Sequence, residues 1–383
     1  MKKLELYLHI PFCVKKCAYC DFLSAPAKLP VRISYVTRLL EEIKFYAPDY
    51  RAYEVDSIFI GGGTPTLLEG EQISAVMECL KREFRISEQA EISIECNPGT
   101  LTAKKAVIMR ESGINRISIG LQSAVNQELG MLGRIHTYEE FLESFDAARK
   151  AGFRNINVDL MSALPGQTPE SWEKTLRTVT ALHPEHLSAY SLMIEEGTPF
   201  YEQYQEDELL RERGEQPVLL PSEEEERNMY ELTGQFLASR GYHRYEISNY
   251  AREGFECRHN VGYWTRKNYL GLGLGASSLI ENERFQNPSD LERYMTGSFC
   301  HEDCIELSRK EQMEEFMFLG LRLMRGVSRE QFMKTFHAPL ESIYGDVIRR
   351  LKQDGYMRES GGYLSLTERG IDVSNQILTE FLL

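Results

Sequence analysis

Two rhythms of apolar residues alternate through the first half of the chain. Short apolar runs fall at 4–8, 55–60, 91–95, 116–121, 155–161 and 186–192. Between them, apolar residues recur every three or four positions. Val36, Leu39, Leu40 and Ile43 do so within 31–46, and Ile73, Val76, Met77 and Leu80 within 71–84. The first rhythm predicts strands and the second amphipathic helices. Further helices are expected at 103–112, 138–151 and 169–182, the first two closed by Gly113 and Gly152. Strict strand–helix alternation predicts a parallel sheet with right-handed crossovers. Six units fall short of the eight that close a barrel. The expected fold class is therefore α/β, a partial, open six-unit β/α barrel over residues 1–200.

The pattern changes after residue 200. Residues 201–222 are polar and charged and read as an exposed excursion or linker. A long helix is expected at 223–240, its amino end favoured by the glutamates at 223–226. Residues 201–306 are taken as an insert, this helix and a region completing the core. From 307 to 383 the pattern predicts helices at 308–324, 328–336 and 340–354, short strands at 356–358 and 363–366 around Gly361-Gly362, and a last helix at 368–382. Three helices and a β-wing predict a winged-helix-like α+β domain. A DNA-binding version would want a basic face. Arg349, Arg350 and Lys352 are too few for that in a chain of net charge −14, so docking against the barrel is expected instead.

The same charge argues against a general nucleic-acid or anionic-membrane binder. No apolar run reaches the ~18 residues of a membrane span. Met1-Lys-Lys is followed only by a short run interrupted by Glu5, so no signal peptide is expected. The eight cysteines therefore read as metal binding in a reducing cytoplasm rather than as a disulfide framework.

The chemistry gathers at strand ends. Directly after the first strand stands Cys13-x3-Cys17-x2-Cys20. Thiolates suit iron–sulfur iron or zinc. A four-iron cubane normally takes four cysteines, so three with no near fourth leave one iron open for a substrate or cofactor. A zinc site, with His9 or a distant Cys as fourth ligand, is the alternative. Gly61-Gly62-Gly63-Thr64-Pro65 follows the second strand and lets backbone come close to a ligand. The third strand ends in Glu95, a carboxylate able to accept hydrogen bonds from a ribose or amine. The fourth puts Ser118, Gly120 and Gln122 on one face, the lining of a cavity. Asp159 lies within an apolar strand, where an acid is costly without a partner, and Arg134 in Leu-Gly-Arg134-Ile-His136 is the candidate. Ligands of parallel sheets sit at the carboxyl ends of strands, so these groups are expected to converge on one mouth. Cys79, Cys96 and Cys257 read as structural thiols. Cys300-His301-Glu-Asp-Cys304 is a second metal site only if other donors join it from elsewhere.

The cysteine spacing, with the glycine loop one unit later, resembles the radical S-adenosylmethionine (SAM) superfamily. There SAM caps the open iron of a [4Fe-4S] cluster and the glycine motif holds its amino group. The string Tyr7–Cys20, Gly-Gly-Gly-Thr-Pro-Thr, the Glu95 strand, Arg-x-Ser-x-Gly-x-Gln-Ser, Leu-Gly-Arg134-x-His136 and Asp159-Leu…Leu-Pro-Gly-Gln together resemble the oxygen-independent coproporphyrinogen oxidase family. The likeness runs through Leu-Gly-Leu-Gly-Ala276 and the C-terminal domain. It implies that Cys13, Cys17 and Cys20 ligate the cluster, that Tyr7 and Tyr19 flank cluster and SAM, and that Gly62, Gly63, Thr64 and Glu95 bind SAM. Gln122, Arg134 and Asp159 match positions that touch a second SAM in the oxidases. Ala163 stands where a glycine is usual, a change expected to be benign.

Two features resemble the heme-chaperone branch of that family rather than the oxidase. Phe22 stands where the oxidases carry a fourth Cys, and Arg258-His259-Asn260-Val-Gly-Tyr263-Trp264 matches the branch's His-Asn-x-x-Tyr-Trp motif. The oxidase's longer N-terminal segment is also not expected. The resemblance implies a cytoplasmic protein that binds heme and passes it to an acceptor protein the sequence does not identify. His259 is the candidate heme ligand, with Tyr263 and Trp264 offering flat surface to a porphyrin; a structural histidine in a turn is the alternative. The alternative function is coproporphyrinogen oxidation in porphyrin biosynthesis.

Overall fold

A computed structural model describes residues 1–383. Strands form at all six expected places: β1 (Lys2–Ile10), β2 (Tyr53–Gly62), β3 (Ile86–Cys96), β4 (Arg116–Gln122), β5 (Ile156–Ser162) and β6 (His186–Ser191). They lie parallel in that order. A seventh strand, β7 (Tyr269–Leu272), pairs parallel to β1 on its other side. Antiparallel strands then extend both edges into one open 12-stranded sheet.

Strand alternation decides which side chains enter the hollow of this partial barrel. Leu4, Leu6, Leu8 and Ile10 of β1 join Leu39 and Ile43 of the helix Leu29–Tyr46 in a core of 55 buried residues. Glu5, Tyr7 and His9 take the other face. On β3 the core takes Ile92 and Ile94, leaving Glu91, Ser93 and Glu95 inward. On β4 it takes Ile117, Ile119 and Leu121, leaving Arg116, Ser118 and Gly120.

The segment 201–222 is not the exposed linker its composition predicts. Helix Pro199–Glu212 runs through it, and Phe200, Tyr204 and Leu220 pack with Leu132, Leu164 and Leu192. Asp207 accepts hydrogen bonds from the amides of Val218 (3.0 Å), Leu219 (2.6 Å) and Leu220 (2.8 Å). Burial pushes its carboxyl up, but the three amides outweigh burial and hold it below the ordinary range. The polar composition predicts solvation, whereas Asp207 ties this turn together internally.

The C-terminal unit has helices Arg309–Gly320, Arg329–Phe336 and Glu341–Gln353 around a three-stranded antiparallel sheet. Its 16-residue core runs from Met313 to Phe381. The expected last helix is two short ones, Glu368–Asp372 and Ser374–Thr379. The unit docks on the barrel as expected. Glu315 takes ion pairs from Arg266 and Arg284 at 2.9 Å each, and Asp372 takes one from Arg227 at 3.0 Å.

Ala163 has φ 58°, in the left-handed region, and is buried. A side chain there strains the backbone, and a glycine would not. Ala163→Gly is expected to stabilise the fold by roughly 0.5–1 kcal/mol. Urea unfolding checks this; a destabilised variant would mean that the methyl's packing outweighs the strain.

Candidate cofactor site at the barrel mouth

Cys13, Cys17 and Cys20 line a cavity of about 380 Å3 at the carboxyl ends of the strands. Tyr19, Gly62, Gly63, Glu95, Gln122, Arg134 and Asp159 line the same cavity. Residues as far apart in sequence as Cys13 and Asp159 thus meet at one mouth.

The cysteine loop and the glycine loop are built against each other. Gly63 N–H donates to the Ile10 carbonyl at 2.9 Å and Thr64 N–H to the Phe12 carbonyl at 2.7 Å. A Cβ on Gly62 (φ 110°) would lie 2.6 Å from the His9 ring, and one on Gly63 2.6 Å from the Phe12 carbonyl oxygen. Thr64 is buried just behind the mouth. Its hydroxyl lies 3.7 Å from Cys13 Sγ and accepts from Asn97 Nδ2 at 2.8 Å.

Tyr7 sits one layer deeper, stacked on Phe59, with its hydroxyl 3.0 Å from His9 Nδ1. His9 Nε2 is 2.8 Å from the Leu23 carbonyl oxygen and must donate to it, so Nδ1 accepts from Tyr7. With both ring nitrogens engaged, His9 is no fourth ligand for zinc. No three Cys, His, Asp or Glu side chains converge closely enough to hold one metal ion. His301, in the second cysteine pair, instead stacks between Phe285 and Tyr46.

Arg134 is not the partner of Asp159, contrary to expectation. It donates to Asn97 Oδ1 at 2.9 Å and to the Gly120 carbonyl at 2.5 Å, and it approaches Cys17 Sγ at 3.6 Å. Asp159 is satisfied by neutral donors, Ser118 Oγ at 3.0 Å and Asn157 Nδ2 at 2.7 Å. Its pKa is raised by burial, which these bonds only partly offset. Glu95 accepts from the Gly62 amide at 3.0 Å, and burial, then the nearby Asp159 charge, pushes its carboxyl up to about 8. Gln122 (φ 71°) follows a register shift in the β4–β5 pairing, a bulge that a period-two reading does not anticipate. Gln122 Oε1 and Arg134 Nε are buried without partners. Asn97 joins Arg134 to Thr64; its signal in the sequence is its place two residues after Glu95 at the strand end.

These features fit the group the motifs imply. Two buried acids make no ion pair, two polar atoms lack partners, and the glycine loop leaves room that any side chain would fill. A ligand carrying a sulfonium, an ammonium and a carboxylate, as SAM does, complements all three. The three thiols suit a cluster with one open iron.

His259 lies elsewhere, on the short helix Arg258–Trp264. It is 1% exposed and stacks on Phe59 at 5.3 Å between ring centroids. Nδ1 meets Ser57 Oγ at 2.9 Å and Nε2 meets Tyr263 Oη at 3.1 Å. Burial, then the Arg116 charge, lowers its pKa to about 3, so the imidazole is neutral. Neither nitrogen is free for a heme iron in this arrangement. Nor do the motif's aromatics make one flat surface: Tyr263 meets Tyr269 edge-on, and Trp264 lies apart under the Arg322 guanidinium.

Comparisons with known proteins agree with this geometry. The Radical SAM superfamily matches residues 7–179 and the HemN C-terminal domain matches 307–373. The solved coproporphyrinogen III oxidase (HemN) of Escherichia coli, described as a radical SAM enzyme, is similar with a TM-score of 0.85 and 26% identity. That likeness covers 100% of this chain and 90% of that one. Fold and site thus define a radical SAM protein of the coproporphyrinogen oxidase architecture. Two relatives carrying the name heme chaperone HemW are more alike in sequence. That of Bacillus subtilis is 36% identical over 98% of both chains; that of Escherichia coli is 34% identical over 99% of this chain and 98% of its own. The chain belongs to the HemW family.

Proposed function

We propose that this protein binds heme and delivers it to an acceptor protein, and that it carries a [4Fe-4S] cluster on Cys13, Cys17 and Cys20 with exchangeable SAM. Phe22 carries the choice over the oxidase reading. It lines the mouth and is 61% exposed where the oxidases place their fourth cysteine, so that position supplies no ligand. The relatives named heme chaperones support the same choice over nearly the whole chain. Eight unpaired cysteines fit a reducing cytoplasm. No helix is long and apolar enough to cross a membrane.

Each lining residue has a task in this reading. Gly62 and Gly63 let backbone approach the ligand, and Glu95 and Asp159 face its cationic groups. Arg134 and Thr64 steady the Cys17 and Cys13 thiolates. The cluster, when bound, supplies redox-active iron with one site open to SAM. His259 acts by position, pinning its helix to β2 through Ser57.

SAM binding should depend on pH through Glu95. Its carboxyl, raised to about 8, is protonated in the free protein at neutral pH. A cationic ligand favours the carboxylate, so binding expels a proton and affinity rises with pH until it levels off above about 8. The slope approaches tenfold per pH unit if one full proton is released. Glu95→Gln is expected to flatten the profile. Calorimetric titration of SAM from pH 6 to 9 checks this, and a flat wild-type profile would contradict it.

The proposal also expects no conversion of coproporphyrinogen to protoporphyrinogen. An anaerobic assay with reductant and SAM is the test. Porphyrin product above background would favour the alternative, an oxygen-independent coproporphyrinogen oxidase, whose fold this chain shares.

A further inference from the structure

A second cavity, of about 840 Å3, opens at the opposite end of the barrel. It lies where Asn115 and Asn155, just before β4 and β5, meet the helix Arg258–Trp264 and the start of the C-terminal unit. Its volume suits a ligand larger than the mouth could hold beside a cluster and SAM, and lies within the ~300–1,000 Å3 of small-molecule sites.

The walls have a specific chemistry. Phe255, Val261, Leu323 and Met324 supply apolar surface. Arg258 and Arg325 line the same space, and neither pairs with a carboxylate: Arg258 donates to the Gln89 carbonyl, and Arg325 is exposed and makes no ion pair. Glu91 and Glu256 also line the cavity, but Glu91 accepts from the backbone amides of Arg258 and His259 and Glu256 faces His243, so the two guanidiniums keep no carboxylate partner and offer an anion a docking point. His243 stands at the rim with its side chain 45% exposed. Nε2 lies 2.6 Å from Glu256 Oε1, and Nδ1 has no protein partner. The site therefore offers apolar wall, two guanidiniums without a carboxylate partner, an imidazole nitrogen and a thioether sulfur. Heme presents the complement: a flat apolar macrocycle, two propionates, and an iron that takes histidine or methionine as axial ligands.

We propose that heme binds in this lower cavity, with its macrocycle against Phe255, Val261 and Met324, its propionates on Arg258 and Arg325, and His243 as an axial ligand. The inference rests on the heme-chaperone reading above and adds the location. It also accounts for the His-Asn-x-x-Tyr-Trp helix. Arg258 and Val261 face the cavity, while His259 holds the same helix from inside through Ser57 and Tyr263. His259 is thus a positioning residue, and His243, outside the motif, is the ligand.

The test is an absorbance titration of heme on the full-length protein carrying its cluster. The variants are Arg258→Glu/Arg325→Glu and His243→Ala, all at exposed positions. The double variant is expected to lose at least tenfold in heme affinity, and His243→Ala to shift the Soret band. Both should keep wild-type iron and sulfide content and wild-type SAM binding, which shows that the barrel is intact. Wild-type affinity in the double variant together with a wild-type spectrum in His243→Ala would overturn the location while leaving heme binding standing. A wild-type protein that fails to saturate with heme would instead overturn the chaperone reading, and the location with it.

Discussion

Replacing Cys17 with alanine is expected to abolish the four-iron cluster rather than weaken it. The mouth brings only three cysteine ligands of the motif together, and each is assigned one iron. The other donors at the mouth are poor substitutes: Asp21 lines the cavity but is a hard oxygen ligand, burial pushes the Cys96 thiol up to about 11, and both nitrogens of His9 are engaged. Removing one thiolate exposes a second iron, and a cubane held at two corners is not expected to survive reconstitution. Iron and sulfide, about four each per chain in the wild type, should fall to near background in Cys13→Ala, Cys17→Ala and Cys20→Ala alike. The fold should remain, because none of the three belongs to the main core. A full complement of iron and sulfide in Cys17→Ala would refute the ligand assignment.

The second large effect is expected at Gly63. A Cβ there would lie 2.6 Å from the Phe12 carbonyl oxygen and 2.9 Å from that residue's carbonyl carbon and amide nitrogen. All three atoms are backbone, so no side chain can swing aside to relieve the clash. Either the glycine loop or the strand leading into Cys13 must move. Each move separates groups that together hold SAM, so Gly63→Ala is expected to weaken SAM binding by roughly a hundredfold, about 2.8 kcal/mol. Gly130→Ala is the control, since a Cβ there meets nothing within 4 Å. SAM titrations followed by paramagnetic resonance of the reduced cluster compare the two. Wild-type SAM affinity in Gly63→Ala would mean that the loop does not cradle the ligand.

The parallel strands and the mouth were legible because both follow from simple periodicities. Strand and helix rhythms place β1 to β6 in order, and functional groups of such sheets gather at their carboxyl ends. Cys13, Gly62, Glu95, Gln122, Arg134 and Asp159 are indeed brought together. What escaped depended on tertiary pairing. β7 is four residues with a glycine inside, too short to register as a strand until β1 pairs with it. Segment 201–222 looks solvated because Asp207 satisfies amides at 218–220 that no local pattern connects to it. Charge alone pairs Arg134 with Asp159, yet Ser118 and Asn157 reach that carboxylate and Arg134 goes to Asn97 and Gly120. His259 carried the motif's chemistry in sequence, but a helix set against β2 turns it inward. Spacing along a chain does not say which side of so short a helix faces the barrel.

The central claim is that this chain's cargo is heme, and a single titration of the cluster-loaded wild-type protein with heme tests it most directly. Followed by absorbance under anaerobic conditions, the titration is expected to saturate at one heme per chain with a shifted Soret band. An absorbance that climbs without a break, indistinguishable from free heme in buffer, would contradict the claim.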